Sequence, residues 1–163
     1  VISTAIKKEK ASDTVIESAV KSMIMLNKKA SETLQKFNPN AVTDVTGFGL
    51  VGHLIEICKN SQVSANINFS QINFLTGVID LANEGIIPGG TKRNLDYAEK
   101  FAHFSESLSP TQKLLSCDAQ TSGGLLISLP KTEANRFISI YGDQAVKIGN
   151  VAEQNNYVVS INP

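Results

Sequence analysis

An α+β fold, with a mixed β-sheet covered by helices, is what this sequence predicts, and three observations carry it. The chain has 163 residues, 42% hydrophobic and 18% charged, enough to bury about 70% of its unfolded surface without a disulfide or metal. Segments with apolar residues at period two are interleaved with segments at helical spacing. No internal repeat, linker or low-complexity tract interrupts them, so residues 1–163 read as one domain.

Val1-Ile2-Ser3-Thr4-Ala5-Ile6 alternates like a strand. With no initiator Met before it, the chain reads as a piece of a longer one. Thr14 and Glu17 fit a capping box, and Ile16, Ala19, Val20, Met23, Leu26, Ala30, Leu34 and Phe37 continue at helical spacing until Asn38-Pro39-Asn40 stops the helix. Ala41 to Val45 is a short strand, Thr46 to Gly49 a turn, and Leu50 to Asn60 a helix with Leu50, Leu54, Ile57 and Cys58 facing inward. Val63, Ala65, Ile67 and Phe69 alternate as a strand. Ile72 to Asn83 is predicted as a helix, Ile86 to Asn94 as a loop around Pro88-Gly89-Gly90, and Leu95 to Ser105 as a helix. A helical turn after Pro110 leads into a polar loop from Cys117 to Gly124. Then come a strand at Leu125 to Leu129, a helix at Thr132 to Tyr141 ended by Gly142, and strands at Ala145 to Val151 and Tyr157 to Ile161. The last two are expected to form a hairpin around Gln154-Asn155-Asn156.

Composition excludes several classes. Apolar runs such as Leu125-Leu126-Ile127 fall far short of the ~20 residues of a membrane span. Fifteen basic residues balance fifteen acidic ones, and no basic block marks a nucleic-acid binder. Cys58 and Cys117 lack metal-ligand spacing, so a reducing cytoplasm is the expected compartment.

Seven of the eleven glycines fall in three polar clusters, Gly47/Gly49/Gly52, Gly89/Gly90 and Gly123/Gly124. Glycine allows backbone N–H groups to approach a ligand such as phosphate, and it also simply makes tight turns. Gly47-Phe48-Gly49-Leu50-Val51-Gly52 matches the dinucleotide pattern G-x-G-x-x-G. That reading fails, because no Asp or Glu lies between Glu56 and Asp80 to hold a ribose, and Asp44 stands just before the first glycine. A carboxylate beside a pyrophosphate is favourable only with a divalent cation between them. Asp44, at a strand end before a helix N-terminus, therefore suits a magnesium–phosphate site. An Asp there also commonly caps its own turn. His53, four residues into the helix, points at the same site or packs locally. Cys117 reads as structural, since no base is positioned to activate it.

Three stretches together resemble the selenophosphate synthetase (selenide, water dikinase) family. They are Thr43-Asp44-Val45-Thr46-Gly47-Phe48-Gly49-Leu50-Val51-Gly52-His53-Leu54, Pro88-Gly89-Gly90-Thr91-Lys92-Arg93-Asn94, and Asp118-Ala119-Gln120-Thr121-Ser122-Gly123-Gly124-Leu125-Leu126. Their order and spacing resemble the carboxy-terminal domain of that family. The wider superfamily includes aminoimidazole ribonucleotide synthetase and thiamine monophosphate kinase.

The resemblance implies an enzyme that converts ATP, selenide and water to selenophosphate, AMP and phosphate, working as a cytoplasmic homodimer with Mg²⁺. It implies a metal-ligand role for Asp44. It also implies that the loops carrying Thr43, Thr46, Gly47, Gly49, Arg93, Asn94, Thr121 and Ser122 face the ATP phosphates. The catalytic Cys or selenocysteine, its partner Lys, and most metal aspartates belong to the family's amino-terminal domain, and none is in this chain. No catalytic residue is therefore expected here, and the fragment should be inactive alone. Two other readings stand beside this one: a non-catalytic module binding a nucleotide or partner domain, and a domain of another superfamily small-metabolite kinase.

Overall fold

A computed structural model describes all 163 residues. The chain opens with three helices, α1 (Ile2–Lys7), α2 (Asp13–Ile24) and α3 (Lys28–Leu34). There follow β1 (Ala41–Asp44), α4 (Gly49–Ser61), β2 (Val63–Asn68), α5 (Val78–Asn83), α6 (Gly89–Ala98) and β3 (Ala102–Phe104). The remainder is α7 (Pro110–Ser116), β4 (Leu125–Ser128), α8 (Lys131–Tyr141), β5 (Gly149–Glu153) and β6 (Val159–Asn162). The fold is α+β, as predicted, but the strands form two sheets. One is a mixed four-stranded sheet in the order β3-β6-β2-β5, and the other is the antiparallel ribbon β1-β4. No helix is long and apolar enough to cross a membrane.

The four-stranded sheet is covered by α4, which packs on β2 and β6; its fully buried Val51, Ile55 and Cys58 share the main core with Ala65, Ile67, Val159 and Ile161. The inward stripe of α4 thus runs through Val51 and Ile55, while Leu50 and Ile57 lie at its margins, only partly buried. α6 packs on α4. A separate small core of Leu34, Phe37 and Phe137 joins α3 to α8 beside the ribbon.

Several sequence expectations are corrected, each for a physical reason. The segment expected as a strand from Val1 to Ile6 is helical from Ile2: Val1, Ile2 and Ala5 are buried, and a segment this short satisfies both periods. The capping box at Thr14 does not form, because α2 starts one residue after Ser12 without a side-chain cap bond. The long helix is broken at Met25, whose backbone is extended. The break lets α2 serve the main core and α3 the small one. It leaves Val20 exposed and Ile24 and Leu26 71% and 75% exposed.

The helix expected from Ile72 forms only from Val78, after Gly77 at φ +77°. The loop expected through Asn94 is helical from Gly89, so α6 ends earlier than the predicted Leu95 to Ser105 helix and β3 follows it. Finally, β5 and β6 do not pair. β5 runs antiparallel and β6 parallel to β2 between them. β2 gives each of them a ladder of its own, and buried Ser64 fastens the connection: its hydroxyl donates to Tyr157 O (2.8 Å) and accepts Asn155 N–H (3.0 Å).

Candidate functional site

The ribbon brings the first and third glycine segments together. In its register Asp44 lies opposite Leu125, and Val45 N–H donates to Gly124 O at 3.0 Å. Gly123 lies so close to Val45 O that any Cβ would collide with it, and Asn27 Nδ2 donates to Gly123 O at 2.9 Å. The start of α3, just past the break after α2, is therefore tied to the third loop.

The turn after Asp44 is held through both backbone groups of Thr46. Its N–H donates to His53 Nε2 at 3.0 Å, and its hydroxyl lies 3.1 Å from the same nitrogen. Its carbonyl accepts Gly49 N–H and Gln120 N–H, both at 3.0 Å. Gly49 has φ +70°, and a Cβ there would lie 2.6 Å from the Cys117 carbonyl carbon and oxygen and 2.9 Å from Asp118 O. This glycine is a packing requirement rather than a nucleotide fingerprint. At Gly47, by contrast, nothing lies within 4 Å of where a Cβ would be.

The second glycine segment closes the assembly from α6. Asn94 Nδ2 donates to Gly47 O at 2.9 Å and to Cys117 O at 3.1 Å, bridging the first and third loops. The Thr91 hydroxyl, fully buried, donates to Asp118 Oδ1, while the Val1 nitrogen donates to Asp118 Oδ2 at 2.8 Å. Gln120 Nε2 donates to Asp118 O at 3.0 Å. Sequence reasoning placed Thr91 and Asp118 in their loops but missed that they bond each other. The sequence offers no signal for that pairing beyond their places in two of the glycine segments.

Around this frame lies an open rim. Asp44 is exposed and its carboxylate makes no hydrogen bond or ion pair, so it does not cap its own turn. Thr43 is half-buried, and its hydroxyl donates to Asp44 O at 3.1 Å. Both line a shallow depression of about 520 Å³ with Asn27, Ser31, Leu34, Val42 and Leu125. Arg93 is exposed, with Nη1 3.5 Å from where a Gly89 Cβ would stand. Thr121 and Ser122 are exposed.

Neither thiol is poised for chemistry. Burial pushes Cys117 up to about 12, with the Glu99 and Asp118 carboxylates adding to it, and burial pushes Cys58 up to about 11. No three His, Cys, Asp or Glu side chains are grouped to hold a metal. A hard cation at Asp44 would take a single carboxylate from this chain. That suits Mg²⁺ bound chiefly through phosphates and water, but it makes no closed site here.

Residues 3–162 match the family model described as AIR synthase related protein, C-terminal domain. Selenide, water dikinase from Aliarcobacter butzleri is 38% identical over 99% of the chain, and the chain covers 48% of that protein. The Yersinia pestis protein of the same name is 44% identical over 83% of the chain, which covers 38% of its length. The chain therefore spans about half or less of the relatives it matches. Among solved structures, thiamine monophosphate kinase from Aquifex aeolicus superposes over 98% of the chain and 44% of its own, with a TM-score of 0.55 at 14% identity. That likeness concerns the fold alone.

Proposed function

Because the chain belongs to the AIR synthase related protein family, C-terminal domain, we propose that it is the carboxy-terminal domain of a selenide, water dikinase. In this reading the whole protein is a cytoplasmic homodimer. It converts ATP, selenide and water to selenophosphate, AMP and phosphate, and this domain forms one wall of its site. The observation that carries the reading is the meeting of all three glycine segments around an Asp44 whose carboxylate has no partner within the chain. The relatives' shared name supports the substrate.

Asp44 would supply one oxygen ligand to Mg²⁺, which when bound neutralises phosphate charge and orients the triphosphate. Arg93, Thr121 and Ser122 lie on the rim with their donors free for phosphate oxygens. The carbonyl of Gly47 is held by Asn94, and the space over its α-carbon is clear for close approach. Thr43, Thr46, Gly49 and Asn94 act one step back, by fixing the backbone that carries these groups. The chain offers no accessible nucleophile, and a single carboxylate cannot bind the several Mg²⁺ ions that accompany a triphosphate. It should not turn over without an amino-terminal domain.

The test is Asp44→Asn in the protein made from its complete gene. Selenide-dependent AMP release should fall by at least a hundredfold, about 2.7 kcal/mol of transition-state stabilisation. The urea midpoint should hold, since exposed substitutions shift stability by only about 0.5 kcal/mol. AMP release near the wild-type rate would refute the assignment of Asp44.

A further inference from the structure

We propose that His53 is a positioning residue for the Asp44 turn, acting through the lone pair of its Nε2. α4 has no side-chain N-cap, and Thr46 lies two residues before the Phe48 cap position. Its N–H would otherwise point from a bend with no strand or helix partner. His53 reaches back from the second turn of α4 and accepts that N–H at 3.0 Å. The Phe48 ring, 5.7 Å away between centroids and tilted by 58°, sits against the imidazole from the turn itself.

An N–H can donate only to a nitrogen that carries a lone pair, so Nε2 is unprotonated and the ring proton of the neutral imidazole lies on Nδ1. The helix thereby fixes Thr46 by its N–H while Gly49 and Gln120 fix it by its carbonyl. Asp44, two residues upstream at the end of β1, inherits its position from both. A histidine on a helix face thus acts at a carboxylate that it does not touch.

The catalytic part of this proposal rests on the reading of Asp44 given above; the structural part does not. The test uses the protein from its complete gene and two variants. His53→Phe keeps a ring against Phe48 but removes the acceptor, and His53→Gln keeps an acceptor at similar reach. In His53→Phe, amide exchange in the peptide spanning Thr46 should rise roughly tenfold, as loss of one hydrogen bond predicts. The Mg²⁺ concentration for half-maximal AMP release should rise by a similar factor, with the KM for selenide unchanged. His53→Gln should restore both.

Unchanged exchange in His53→Phe, or equal damage in His53→Gln, would overturn the proposal. Should His53→Phe not fold, ring ¹⁵N spectra of the wild type decide, because a proton on Nε2 contradicts the bond. If the wild-type protein shows no selenide-dependent turnover, the functional reading fails, and the exchange and ring-proton results still judge His53.

Discussion

The frame and the rim of the glycine assembly are built from the same residue types but in opposite states. Thr46, Thr91, Asn94 and Asp118 are buried or half-buried, and they bond one another, the His53 ring, Val1 or the loop backbone. Asp44, Arg93, Thr121 and Ser122 are exposed, and their side chains bond nothing in the chain. A buried polar group must find a partner or lose its desolvation energy, so the frame is what the fold itself requires. The rim is what the fold leaves over. Polar character alone does not mark a binding residue; freedom from internal bonds is the better criterion.

The sharpest way to break the comparison is Gly49→Ala. The positive φ and the Cys117–Asp118 backbone should cost about 3 kcal/mol or more, read as a lower urea midpoint. Asp44→Asn on the rim, by contrast, should leave that midpoint in place. A smaller effect is expected from Thr91→Val. It keeps the side-chain shape but strips Asp118 Oδ1 of its donor in a buried site, for a loss of about 2 kcal/mol.

The smallest effect concerns Cys58 and Cys117. Both thiols are held above their ordinary value by burial, so the folded state binds their protons more tightly than the unfolded state does. Their contribution is complete below pH 9 and is lost as pH rises from there towards about 12. At pH 8 an aromatic disulfide reagent should therefore label neither until denaturant is added. Rapid labelling of the native protein would show that the frame around Cys117 opens.

Much of the scaffold was legible because its signals are local. β1, β4, α4 and β2 follow from period and from the glycine turns between them, and the polar loop from Cys117 to Gly124 indeed carries no regular structure. Errors arose where a distant contact decided. Asn27 bonding Gly123 marks where one long apolar stripe becomes two helices, and β2, from much earlier in the chain, takes the place between two strands that look like a hairpin. One local signal lies elsewhere than at Thr14. Ser109-Pro110-Thr111-Gln112 forms the true capping box, at α7, whereas Thr14 and Glu17 form none. For the site, the three loops were legible as a set, but not which members were spare. Asn94 looks like Arg93 in sequence, and only the two carbonyls it meets separate a strut from a free donor.

The pair of hydrogen bonds made by Asn94 has a mechanical consequence. One amide group, with a hydrogen on each of two carbonyls, turns α6 and two loops from distant parts of the chain into a single body. Moving one loop toward a ligand without the other means breaking one of these bonds, at about 1 kcal/mol each. The cheaper adaptation to whatever approaches Asp44 is in the side-chain rotamers of the rim, which no internal bond holds.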